Sequence, residues 1–181
     1  MSRLLRSRLM FVLAIAVIAL VVRLMPHPAN FVPIGAVAIL GGMLLPRRYS
    51  AWIVVVTMML SDFIIGLHPM IIWTWGSFAL VALLSGKLLN GRRPNSARLV
   101  MSAMAGGTLF FVITNLGVWL QGGLYEKSLQ GLVQCYVNAL PFYRNTILGD
   151  VFFTGVFYAV FLILPKLFAL PSATVRSLQK I

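Results

Sequence analysis

The chain has 181 residues, 60% hydrophobic and only 10% charged, with fifteen Lys and Arg against three Asp and Glu for a net charge of +12. So little polar material cannot cover a soluble domain of this length, and the bases lie between apolar runs instead of in a stripe interleaved with aromatics, which argues against nucleic acid as a partner. Cys135 is the single cysteine, which excludes an internal disulfide and a Cys-based zinc site.

The lipid bilayer is therefore the expected surrounding. Helices are preferred to a barrel because the runs are continuously apolar rather than alternating. The first predicted helix covers residues 9–25, behind Arg3, Arg6 and Arg8. Bases ahead of an apolar run look like a secretory signal, but Arg23, Leu24, Met25 and Pro26 stand where a small-x-small cleavage site would follow. The segment reads as a retained helix. Pro26-His27-Pro28-Ala29-Asn30 is a stiff loop, since neither proline donates a backbone hydrogen bond. The second helix is expected over 31–45, short and rich in small residues, and Pro46-Arg47-Arg48 ends it. The third covers 51–67, up to His68-Pro69, and the fourth 71–89, up to the polar turn from Asn90 to Asn95.

The fifth helix is expected over 99–121, before Gly122-Gly123 opens the longest loop. Inside that loop, Leu129, Leu132, Val133, Tyr136, Val137 and Leu140 follow the spacing of one helical stripe, so a helix is expected over 128–140, stopped by Pro141. It either lies in the membrane interface or closes as a lid over a pocket. The last helix is expected over 146–164, with a short basic tail beyond. The whole of 1–181 reads as a single transmembrane domain, an all-α bundle of six transmembrane helices.

Twelve of the fifteen basic residues fall on one side of these spans, and Arg23, Lys127 and Arg144 on the other. The excess of bases in cytoplasmic loops places both termini in the cytoplasm. Asp62, Asp150 and Asn115 then fall within about 6–9 Å of the outer interface at 1.5 Å per residue, with Trp73, Trp75 and Trp119 at the same level and His27, Asn30 and His68 in the outer loops. Ionisable groups at such depth serve a function or pair with each other. Asp62 and Asp150 either line an outward-facing pocket or neutralise Arg23 and Arg144. The tryptophans suit an interfacial belt as well as a site. Gly35, Ala38 and Gly42 share a face of the second helix, and Ala103 with Gly107 and Ser102 with Gly106 repeat the small-x-x-x-small spacing that lets helices approach closely.

Several segments carry a resemblance: Arg23-x-x-Pro26-His27-Pro28-x-Asn30-Phe31-x-Pro33, Gly41-Gly42, Ser61-Asp62-x-x-x-Gly66, Thr114-Asn115-x-Gly117-x-Trp119 and Pro141-Phe142-Tyr143-Arg144-Asn145-Thr146-x-x-Gly149-Asp150. In these the chain resembles a family of small, uncharacterised bacterial membrane proteins of transport type, which implies a multi-pass protein of the inner (plasma) membrane. Its architecture is also similar to the substrate-binding S components of energy-coupling factor vitamin transporters, which implies an outward-facing vitamin-like site and an energising transport module as partner. Those S components carry an Ala-x-x-x-Ala face on their first helix for docking, whereas Ala14, Ala16 and Ala19 here include no pair four apart.

The expected function is a membrane transport protein, or substrate-binding transport subunit, that captures a small polar solute from the outer face. Asp62, Asp150, Asn115, Trp119, Arg144, Asn30, His27, Trp75 and Tyr143 are its candidate binding residues. No catalytic residue, metal or cofactor is assigned, and the absence of Gly-x-x-x-x-Gly-Lys-Ser/Thr leaves any use of ATP to a partner. One alternative is a structural or assembly protein. Another is an intramembrane hydrolase with Asp62 and Asp150 as its acid–base dyad.

Overall fold

The computed structural model describes residues 3–89 and 94–167. The polar turn at Asn90 to Arg93 and the tail with Arg176 and Lys180 lie outside the described residues. Seven helices follow one another within them: α1 (Arg3–Leu24), α2 (Ile34–Leu44), α3 (Arg47–Ile65), α4 (Ile71–Leu89), α5 (Ser96–Gln121), α6 (Leu129–Asn138) and α7 (Leu140–Leu167). Five of them, α1, α3, α4, α5 and α7, are long and apolar enough to cross a membrane. Their outer faces expose large apolar side chains such as Val17, Trp52, Ile64, Ile72 and Phe152. A soluble protein hides such faces, and a multi-pass membrane protein turns them to lipid.

The exception is α2. All eleven of its residues are buried, and it packs against α1, α3, α4, α5 and α7. At 1.5 Å per residue it is about 16 Å long, roughly half the hydrocarbon core of a bilayer. Prolines set both limits: Pro33 precedes its first residue and Pro46 follows Leu45. Phe31 and Val32, expected inside this helix, belong to the preceding loop, where Asn30 adopts a φ of 62° and the Phe31 N–H bonds back to the Pro28 carbonyl. Glycine lets α2 meet α4 backbone to backbone. A Cβ on Gly42 would stand 2.3 Å from the Ala82 carbonyl oxygen and 2.8 Å from the Gly86 nitrogen.

Two other expectations shift. The last long helix begins at Leu140, not at 146, because Pro141 falls in its first turn, where a missing N–H costs nothing. The Tyr143 N–H accordingly bonds to the Ala139 carbonyl at 3.0 Å. Asp150 thus lies ten residues into α7, about 15 Å along it, whereas Asp62 is three residues from the end of α3.

The expected stripe on the loop helix also divides. Ser128 caps α6 by accepting the Gly131 N–H at 3.1 Å. Gly131, Cys135 and Ala139 face inward, while Leu129, Val133 and Val137 are exposed. The Tyr136 hydroxyl donates to the Val112 carbonyl at 2.7 Å, and the Cys135 thiol lies 3.5 Å from the Asn115 carbonyl, so α6 is fastened to α5.

Candidate functional site

The C-terminal ends of α1 and α3 and the N-terminal end of α4 meet at one corner. Arg23, near the end of α1, places Nη2 2.6 Å from Asp62 Oδ1, as an ion pair without hydrogen-bond alignment. Its Nη1 faces the Ser61 hydroxyl and, at 3.2 Å, the Met58 sulfur. Trp75 donates its indole N–H to Asp62 Oδ2 at 2.7 Å. His68 accepts the Met70 N–H on Nδ1, which leaves its ring proton on Nε2, 3.8 Å from the same Oδ2. Asp62 has a side chain only 1% exposed, and its charge is matched where it stands.

Asp150 has a different setting. It is 4% exposed, and among the described residues no hydrogen bond or ion pair reaches its carboxylate. Its niche is made by missing side chains. A Cβ on Gly35 of α2 would lie 1.9 Å from Asp150 Oδ1, and one on Gly107 of α5 would lie 3.0 Å from Oδ2. Gly35 is the second residue of α2, so the carboxylate rests beside the positive end of that helix's dipole. One turn along α7, the Thr154 hydroxyl is also buried without a hydrogen-bond partner.

Arg23 and Asp150 line the same cavity, about 240 Å³ in volume, together with Asn30, His68, Thr74, Phe78, Phe110 and Thr146. A neighbouring cavity of about 210 Å³ shares Asn30, Thr74, Phe110 and Thr146 and adds Thr114, Asn115, Val118, Ala139 and Phe142. Sharing these four residues, the two cavities adjoin as a first and a second lobe. Ala139, at the end of α6, forms part of the second lobe's wall.

Of the nine candidate binding residues, Asp150 and Asn30 line the first lobe, and Asn115 and Asn30 the second. Asn115 also donates from Nδ2 to its own helix, at the Phe111 carbonyl 2.8 Å away. Asp62 and Trp75 stand behind the wall and hold Arg23 in it. The remaining four line neither lobe. His27 places its ring nitrogens 2.9 Å from the Pro28 carbonyl and 3.3 Å from that of Arg23, tying the loop to the end of α1. Trp119 donates to the Glu126 carbonyl at 2.9 Å, with the Lys127 ammonium over its ring. Tyr143 shares a 2.9 Å hydrogen bond with Thr108 on the outer side of α5. Arg144 is exposed. The pairing of Asp62 with Arg23 is present, whereas a pairing of Asp150 with Arg144 is not, because Arg144 points away from the bundle. Sequence reasoning passed over Gly35 and Gly107 as site-makers and Thr74, Phe78, Phe110 and Thr146 as wall. The two glycines had a signal in their small-residue spacing, read only as packing. The other four are ordinary residues of apolar spans and had none.

A model described as a family of unknown function, DUF6580, matches residues 3–173, and the chain belongs to that family. No curated protein matches the chain. No solved structure matches it either.

Proposed function

We propose that this chain is a multi-pass protein of the bacterial inner membrane that captures a small polar solute from the outer face, as a transporter or as the substrate-binding subunit of one. The observation that carries this reading is the cavity lined by both Arg23 and Asp150. Polar and ionisable groups gathered around a space inside an apolar bundle are costly unless a ligand uses them. The short α2 supports the same reading, since many secondary transporters build their sites from half-length helices whose ends face the substrate. In this proposal α2 is the sixth crossing, completed by the extended residues on either side of it. Both termini are cytoplasmic, and the cavity opens at the outer end, away from Arg6, Arg8, Arg47, Arg48, Lys87 and Arg98.

The hydrolase alternative draws no support from the geometry, because Asp62 is engaged by Arg23 and Trp75 and does not share the cavity with Asp150. A purely structural role is favoured by one observation, the fully matched Arg23–Asp62 pair, and it applies to that corner alone.

Native mass spectrometry of protein released from lipid nanodiscs tests the proposal. A co-purified small molecule, lost from a variant whose cavity is filled by Thr74→Trp, is the expected result. Protein that carries no molecule and responds to no added polar solute would overturn it. A cytoplasm-dependent reporter inserted at Asn95 should be active, and activity only from the outside would reverse the orientation.

A further inference from the structure

We infer that the solute is a cation, a small molecule bearing a protonated or quaternary amine, and that Asp150 is its anchor. This rests on the solute-capture reading and adds the charge of what is captured.

The first argument is charge matching. Arg23 is engaged through both terminal nitrogens by Asp62, Ser61 and Met58, so its charge is already answered. Asp150 meets no cationic side chain and no hydrogen-bond donor among the described residues, only the partial positive end of α2, although it is almost completely buried. A carboxylate enclosed in an apolar bundle calls for a cation, and here the open space beside it is where one can come. An anionic solute would gain nothing from this carboxyl group and would be repelled wherever it is ionised.

The second argument concerns hydrogen-bond polarity. The Thr146 hydroxyl donates its proton to the Phe142 carbonyl at 2.9 Å, and that of Thr74 is directed at the Met70 and Ile71 carbonyls at 3.2 and 3.1 Å. Each hydroxyl has one proton, and both are spent on their own helices. What these two residues offer the cavity is lone pairs. N–H donors on a ligand fit these two acceptors.

The third is the aromatic lining. Phe78 and Phe110 stack with centroids 4.5 Å apart and both border the lobe that contains Asp150. Aromatic rings attract cations within about 6 Å of a centroid, more strongly where water is excluded. The cavity of about 240 Å³ is sized for a small amine. The glycine niche holds the anchor in register: Gly35 and Gly107 leave room for the carboxylate, and any side chain there would displace it.

The test uses the full chain in nanodiscs and reads binding by calorimetry. The probes are tetramethylammonium, ethylammonium, guanidinium and choline, set against the neutral isostere of choline with carbon in place of its nitrogen. At least one cation should bind, and choline should bind about tenfold or more tightly than its isostere, a charge contribution of ordinary size. Asp150→Asn should erase that preference. Thr146→Val, which keeps shape and loses the acceptor, should weaken binding of ethylammonium or guanidinium, which carry N–H donors, severalfold while sparing tetramethylammonium, and it guards against a folding defect in the first variant. Equal binding of choline and its isostere, or a cation preference that survives Asp150→Asn, overturns the inference and leaves solute capture standing. If no cation and no neutral or anionic solute of similar size binds, both fall.

Discussion

Two corners of one bundle hold its two buried acids, and they are built in opposite ways. At the end of α3, Asp62 is surrounded by added side chains: a guanidinium, an indole N–H and an imidazole converge on it. In α7, Asp150 is surrounded by removed ones, lying where Gly35 and Gly107 have no Cβ. The first corner spends its polarity on itself and fixes how α1, α3 and α4 meet. The second leaves a carboxyl group without a side-chain partner at the edge of a cavity. In a low-dielectric interior an ionised group is expensive in either setting. The matched acid is thus explained by the fold alone, and the unmatched one asks for a ligand.

The largest effect should come from breaking the matched corner. Arg23→Gln leaves Asp62 buried without its cation, and about 3–5 kcal/mol of stability should be lost, as for other broken buried pairs. Thermal melting in detergent measures this, and adding Asp62→Asn should restore much of it. A double variant as unstable as the single one would mean that Arg23 acts through packing instead. Next comes the niche. Gly35→Ala puts a methyl group into the space of the carboxylate and should cost about 1–3 kcal/mol, the usual range for overpacking, with loss of solute binding as well. Unchanged binding would show that Asp150 has room to move elsewhere.

A smaller effect tests the cover of the second lobe. Tyr136→Phe removes the hydrogen bond that fastens α6 to α5 and should cost about 0.5–1.5 kcal/mol. Cys135 reports it directly. Burial pushes this thiol up from its ordinary range, against a smaller opposing pull from the Lys127 charge. Little thiolate therefore exists at neutral pH, and maleimide labelling should be slow and rise as the pH is raised. Loosening α6 should speed it at every pH. The smallest effect belongs to Asp150→Asn. With no partner to strand, this change should leave the melting temperature level or slightly raised, in contrast to the Arg23 variant. A clear loss would show that the two corners are alike after all.

How much of this was legible follows from what each feature depends on. α4 was readable at both ends because His68-Pro69 and the Asn-Gly turn bracket it locally. The Asp62–Arg23 pair was foreseeable, since two opposite charges at adjoining helix ends have few other partners. The start of α7 was misplaced because proline has two meanings, a stop inside a helix and a good fit in its first turn, and spacing alone does not choose between them. The loop stripe counted apolar residues without knowing that Gly131, Cys135 and Ala139 would be the contact face; small residues pack best against a neighbour but weigh least in a hydrophobic pattern. The niche of Asp150 was the least accessible. It depends on three helices meeting at one point, and its signature is atoms that are not there.

The enclosure of α2 has a consequence for how the chain is made. A ribosome releases this segment while four of the helices that surround it in the finished bundle, α3, α4, α5 and α7, are still untranslated. At about 16 Å it is too short to hold a position across a bilayer by itself. Its seat is completed only when α5 and α7 have arrived on its far side. An early part of the cavity wall is thus completed late, and the Gly35 notch that receives Asp150 closes on a residue synthesised more than a hundred positions later.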